Sequence, residues 1–336
     1  MPFTGKPDGC SDNLIVMNST GNAEDLGEMD EPHWLSRGAF HVLVVVFFAT
    51  EIVLGWALYE RSYWLAVPLV LLCSHFMHGL LIGFHEASHG SLRTNRRSNE
   101  IDGVVLGVFS LMSFSLYRAT HQTHHAYLAT ERDEELWPFV IPGTARWKRV
   151  LAAFLELTVG LLYTPFIFLR SFLRAGSPIR SKKVRRRVWA ELVLILGVWV
   201  CILVAVAWFN AWLYFVGMYL VPAFLAANLQ SWRKYIEHVG LTGGTVKSST
   251  RSIVSEGWSG RLLAFTLLHE PYHGVHHQRA GLPHAELPRY TAALLPTAPE
   301  ERHPYPSYRS ALQDLLRSLA DPRVGAQWRT ATTSRI

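Results

Sequence analysis

Long apolar runs alternate with polar blocks along this chain. The first run, GAFHVLVVVFFATEIVLGWALY over residues 38–59, is long enough to cross a hydrocarbon core of roughly 30 Å as a helix. A second run, residues 63–84, follows after only Glu60-Arg61-Ser62, so the two are expected to form an antiparallel hairpin. Residues 188–209 and 212–229 repeat the arrangement about the minimal turn Asn210-Ala211. Residues 101–116 and 150–169 are also apolar, the latter broken by Pro165. Past residue 240 the chain becomes polar and rich in Gly, Ser and Thr, then Pro-punctuated, with a short amphipathic helix expected around residues 308–319. The expected fold is an all-α integral membrane protein. It has four transmembrane helices in two hairpins, interfacial helices, and a cytosolic helical cap. Residues 1–37 form a polar arm ending in an interfacial segment near Trp34, residues 38–320 a single domain, and residues 321–336 a frayed tail.

Composition agrees with a membrane protein that carries a substantial aqueous part: 49% of residues are hydrophobic and only 17% charged. The net charge of +6 could point to nucleic acid, but the basic residues cluster beside apolar spans, where a lipid surface is the better partner. Residues 180–187, RSKKVRRR, are the densest such cluster and mark their side of the bilayer as cytoplasmic. The acidic arm gives that orientation no support. It has no h-region of the kind a cleavable signal needs. Cys10, Cys73 and Cys201 have no paired spacing, so neither a disulfide framework nor a zinc ribbon is expected. Glu51, in the middle of the first run, must face the bundle interior.

Histidine is the residue that changes the picture. His85-Glu-Ala-Ser-His89 closes the second run, His121-Gln-Thr-His124-His125 follows residues 101–116, and His269-Glu-Pro-Tyr-His273-Gly-Val-His276-His277 lies past the fourth run. A lone His238 sits in KYIEHVG. On a helix, positions i, i+3 and i+4 lie on one face, so each box presents its imidazoles together. His85, His89, His121, His124, His125, His238, His273, His276 and His277 are too many nitrogens for one tetrahedral ion, and the count points to two metals. His75 and His78 share the stripe of His85, but His78 lies about 10 Å deeper, and both are expected to support the ligands or to be buried hydrogen-bonded groups. Parity then decides the two ambiguous stretches. If residues 101–116 crossed the bilayer, the first two boxes would face opposite sides, and if residues 150–169 crossed alone, the third box would be stranded. Both are therefore expected to be interfacial or re-entrant.

Two other chemistries fit parts of the pattern. His85-Glu86-x-x-His89 matches a zinc-hydrolase motif with Glu86 as general base, but such a site needs only one further ligand. A metal-transport protein would place ionisable groups through the bilayer, and only Glu51, His75, His78 and Glu191 lie near spans.

The order and spacing of the boxes resemble the membrane fatty acid desaturase and hydroxylase superfamily, non-haem di-iron oxidases. The likeness runs from about residue 64 to 290. The segment around Glu237-His238 is similar to the Glu-His motif with which alkane hydroxylases add a ninth histidine. The two-residue gap between His121 and His124 is instead like desaturases and carotenoid ketolases. The resemblance implies two Fe ions, with O2 as co-substrate, acting on an unactivated C–H bond of a fatty acyl or other long hydrocarbon chain. Desaturation is favoured over hydroxylation, carotenoid ketolation or alkene-forming decarboxylation. Glu86, Glu237 and Glu270 adjoin ligands and are expected to orient them by accepting ring N–H groups. Proline prefers the first turn of a helix, so Pro271 leaves His269 outside it, as a supporting group rather than a ligand. Asn228 is expected to hold a water near the metals. No CxxC pair, haem-binding segment or dinucleotide loop is present, which implies a separate ferredoxin, rubredoxin or cytochrome b5-like donor with its reductase. The expected location is a bacterial inner membrane with both termini and all boxes cytoplasmic.

Overall fold

The structure, a computed structural model, describes residues 34–329. The expected arm therefore lies almost wholly outside the described residues, apart from one helical turn at Trp34–Arg37. Helix α1 (Ala39–Tyr59) and helix α2 (Tyr63–His89) form the first hairpin. Helix α3 (Arg96–Phe109) and helix α4 (Phe114–Ala126) follow, then α5 (Arg146–Leu173) and α6 (Lys182–Trp208). The second hairpin is completed by α7 (Trp212–His238), whose early part runs as π-turns over Phe215–Leu220. Short helices α8 (Trp258–Thr266) and α9 (His273–Gln278) carry the last box, and α10 (Tyr308–Ser318) matches the amphipathic helix expected near the end. A single bridge, Ile253 to Tyr305, is the extent of β pairing among the described residues.

Why these helices belong in lipid is visible on their outer faces. Val45, Phe48 and Ile52 of α1 and Val193, Leu196 and Val204 of α6 are exposed, more large apolar side chains turned outward than a water-soluble monomer tolerates. Aromatic residues rim the two tight turns, Tyr59, Tyr63 and Trp64 at one and Trp208, Phe209 and Trp212 at the other, as at a membrane–water interface. Asn210 supplies the left-handed residue of its turn, with φ 50°.

The helix count differs from the sequence expectation. By length and apolar character five helices could cross a membrane, α1, α2, α5, α6 and α7, and six if α3 and α4 make one broken span. The spans also outrun their expected ends: α2 continues to His89, α6 begins at Lys182, and α7 continues to His238. A buried polar face or a dense basic run hides helix continuation from a hydropathy reading.

Two elements are not straight. Helices α3 and α4 meet at 103°. Glu100 near the start of α3 pairs with Arg118 of α4 and with Arg187 at the start of α6, each at 2.5 Å. Helix α5 loses helical geometry at Val159 (φ −129°, ψ 41°). Near its start, Arg149 donates to the carbonyl of Pro322 at 2.9 Å, and Tyr235 and Lys234 bind Glu156. Near its end, Arg170 and Arg174 pair with Glu134, a residue of the polar loop that precedes α5. Glu156 is turned inward and 1% exposed.

Two cores position the site. One packs α1, α2, α4 and the end of α5 through Phe40, Leu43, Phe84, Phe114, Phe168 and Leu268. The other joins the end of α7 to the polar region through Leu136, Phe139, Tyr235, Val239, Leu315 and Val324. Val324 and Trp328 are buried, and the Val324 N–H donates to the carbonyl of Phe139 at 3.1 Å. So the part of the tail up to Arg329 is packed where fraying was expected, because Val324 and Trp328 complete this second core.

Candidate metal centre

Each box is set by the local geometry of its own segment. Helix α2 stays continuous to His89 because Gly90 then adopts φ 81°, a left-handed stop that glycine takes without penalty. Ser113 caps α4 by accepting from the Leu116 N–H at 3.2 Å, and His121, His124 and His125 follow on that helix. Leu268 and His269 both have positive φ, 48° and 56°, which turns the chain sharply out of α8. Pro271 lies in the 3-10 turn Glu270–Tyr272, and α9 begins only at His273, so His269 does lie outside the helix.

All nine expected histidines converge. The donor atoms of His85, His89, His121, His125 and His276 lie within 4.8 Å of one another. A second set joins His124, His238 and His277, and a third joins His238 and His273 with Glu237. The rings of His125 and His277 stack at 4.2 Å, so the sets adjoin. Most of these side chains are buried, and none of the chain's other histidines is part of a set among the described residues.

Hydrogen bonding fixes which nitrogen faces inward. His121 Nδ1 lies 3.0 Å from Glu135, His124 Nδ1 2.9 Å from Asp133, His273 Nδ1 2.9 Å from Glu270, and His238 Nδ1 3.1 Å from the Ser249 carbonyl. A carbonyl can only accept, so His238 carries its proton on Nδ1, and the carboxylates favour the same tautomer for the others. Nε2 atoms then meet across the site, His238 and His273 at 2.9 Å, His89 and His121 at 2.9 Å, His125 and His276 at 3.1 Å, and in the first pair both present lone pairs. With the Nδ1 protons directed outward, no proton lies between His238 and His273 to join them. That repulsive arrangement fits cations, which imidazole binds at roughly 2.0–2.1 Å. Burial pushes the imidazolium forms of His276 and His277 well below their ordinary range, and that of His273 down to about 4 against the opposing pull of Glu270. Neutral imidazole is the ligand form.

The carboxylates divide into those foreseen and those missed. Burial opposes charge on Glu270, yet His85, the Arg233 guanidinium and the His273 ring hold its carboxyl well below the ordinary range. It sits 3.6 Å from His85 Nδ1 as well as on His273, touching one histidine of each set. Glu86 lies 3.5 Å from His85 Nδ1 and accepts from Ser91 Oγ at 2.8 Å. Glu237, expected to accept a ring N–H, does not: the neighbouring Nδ1 atoms are already taken by Glu270 and Ser249. Asp133 and Glu135 went unforeseen, and their one sequence signal is an acidic run within fourteen residues of box two. His269 stacks on His284, Nδ1 to Nδ1 at 3.4 Å, away from the sets. His75 meets Thr266 Oγ1 at 2.9 Å, and His78 is buried.

Asn228 is a correction. It accepts from the Gly160 N–H at 2.8 Å and donates to the Thr158 carbonyl at 3.0 Å, on either side of the break at Val159. Ten residues before His238, it is about 15 Å away along α7, and its amide is spent on α5 rather than on a water near the histidines.

Residues 62–309 match the family model described as fatty acid desaturase. The chain belongs to that family. It is also similar to a fatty acid desaturase of Bacillus subtilis (strain 168), 23% identical over 247 residues that cover 68% of each chain. The desaturase-family chain is accordingly an oxidoreductase of the histidine-box di-iron type and a multi-pass membrane protein. The zinc-hydrolase pattern at His85-Glu86-His89 is absorbed into this larger set, since His85 and His89 share their neighbours with His121, His125 and His276.

Proposed function

We propose that the protein is an O2-dependent desaturase-like oxidase that holds two iron ions and removes hydrogen from an unactivated C–H bond of a fatty acyl or similar long chain. The observation that carries this is the convergence of nine histidines drawn from four separate stretches, with Nε2 meeting Nε2 between His238 and His273, His89 and His121, and His125 and His276. Nitrogen-rich ligation suits iron, and a bound pair of such ions supplies the redox chemistry with O2 that zinc lacks. The chain's own residues do the positioning. Asp133, Glu135 and Glu270 fix ring orientation, and burial keeps the imidazoles of His276 and His277 neutral. Where the substrate's reacting carbon is held against this array, lost translational freedom contributes part of the rate.

In this reading α1, α2, α6 and α7 cross the bilayer, while the α3–α4 pair and α5 enter and return on one side. Two features support it. The Glu100–Arg118–Arg187 pairs tie both arms of α3–α4 to the start of α6. The contacts of Arg149 with Pro322 and of Arg170 and Arg174 with Glu134 tie both ends of α5 to the polar region. The basic run at residues 180–187 puts that side in the cytoplasm, where a separate ferredoxin, rubredoxin or cytochrome b5-like protein would deliver electrons. Incubation of the purified protein with acyl substrates and a reductase system, read by mass spectrometry, tests the function. Loss of two hydrogens is expected, and a product that only gains one oxygen would replace desaturation by hydroxylation.

A further inference from the structure

Glu237 differs from every other carboxylate around the histidines. Asp133, Glu135 and Glu270 each meet an outward Nδ1. Glu237 instead approaches the inward edge: its Oε2 is 3.6 Å from His273 Nε2, and one of its oxygens lies within 4.8 Å of the donor nitrogens of His238 and His273. The side chain is 3% exposed, so water does not satisfy it. Its protein partner is Arg233, whose Nη1 donates to both Glu237 oxygens at 2.8 and 3.0 Å and to Glu270 at 2.7 Å. One guanidinium thus faces two buried carboxylates, and Glu237 is the one that approaches the edge where the Nε2 atoms of His238 and His273 meet. Buried charge that is not matched is costly, and a cation among His124, His238, His273 and His277 would match it.

We propose that Glu237 is an oxygen ligand of the ion at His124, His238, His273 and His277, and that Arg233 is a positioning residue that sets how far its carboxylate reaches. This deepens the di-iron reading and rests on it. A set of neutral imidazoles brings no charge to its ion, whereas a carboxylate brings one and is a harder donor. The two ions of the pair would therefore be inequivalent, with Glu237 bound to one of them only.

Mössbauer spectra of protein loaded with enriched iron test this without an activity assay. The native protein should give two distinct quadrupole doublets. Glu237→Gln and Glu237→Asp should each shift one doublet and leave the other in place. Arg233→Lys, which keeps the charge but loses the forked hold, should shift the same doublet. The Asp variant keeps the charge that neutralises Arg233 but withdraws the oxygens by one methylene, so it decides the matter even where the Gln variant fails to fold. A native-like spectrum for Glu237→Asp would overturn the proposal and leave Glu237 as a counter-charge only. Failure of the native protein to bind iron would instead overturn the di-iron reading itself.

Discussion

Glu135 shows how a single side chain outside the ligand set governs the metal. Its carboxylate is the partner of His121 Nδ1 and orients a ring from the middle of the five-histidine set. Glu135→Gln is expected to weaken metal binding about 10–100-fold at that set, measured by competition with a chelator, while His303→Ala, at an exposed position outside the cluster, leaves binding unchanged. The ligands themselves were legible because helical spacing puts i, i+3 and i+4 on one face, which needs no tertiary information. Asp133 and Glu135 were not, because they lie in a loop without periodicity, and consecutive acids in a loop read as solvated. Glu237 was recognised as a neighbour of the site. Which edge of which ring it faces depends on how α7 meets the turn before α9, and sequence carries no record of that.

At the level of elements, polar clamps hold the bent helices. Glu191 of α6 accepts from Ser113 Oγ at 2.7 Å and from the N–H and Oγ of Ser115 at 2.8 and 2.7 Å, fastening the corner between α3 and α4. Glu191→Ala strands these donors and leaves Arg187 with Glu100 alone, and should cost about 2–4 kcal/mol in denaturant unfolding of the detergent-solubilised protein. Asn228→Ala should cost about 1–3 kcal/mol by freeing the backbone groups beside Val159, with iron content unchanged, and a fall in iron would return Asn228 to the metal site. The helices at residues 39–59, 63–89, 182–208 and 212–238 were legible as long apolar runs joined in pairs by short turns. The length of α5 was not, since its break at Val159 is held by a side chain some seventy residues away.

For the whole molecule the open question is how many helices cross the bilayer, and it has a direct test. In a protein with its cysteines replaced, single cysteines at Glu60 and Asn210 should react with an impermeant reagent from one face, and those at Asn95, Thr144 and Gly176 from the other. A label pattern that separates Thr144 from Gly176 would make α5 a fifth span. Parity argues for the same-side placement from the boxes alone, because imidazoles on opposite faces cannot share ions. It could not foresee that residues 322–329 close the core beneath the end of α7, as that contact links the last described residues to the loop after box two.

The central claim is that four separate stretches of chain place nine imidazoles around two iron ions. Iron content of anaerobically purified protein, compared with single alanine replacements at His89, His124, His238 and His276, tests it most directly. The account predicts about two irons per chain for the native protein and a clear loss for every one of the four variants, each still folded by its unfolding midpoint. One zinc per native chain, or native iron content in the His124 and His238 variants, would contradict it.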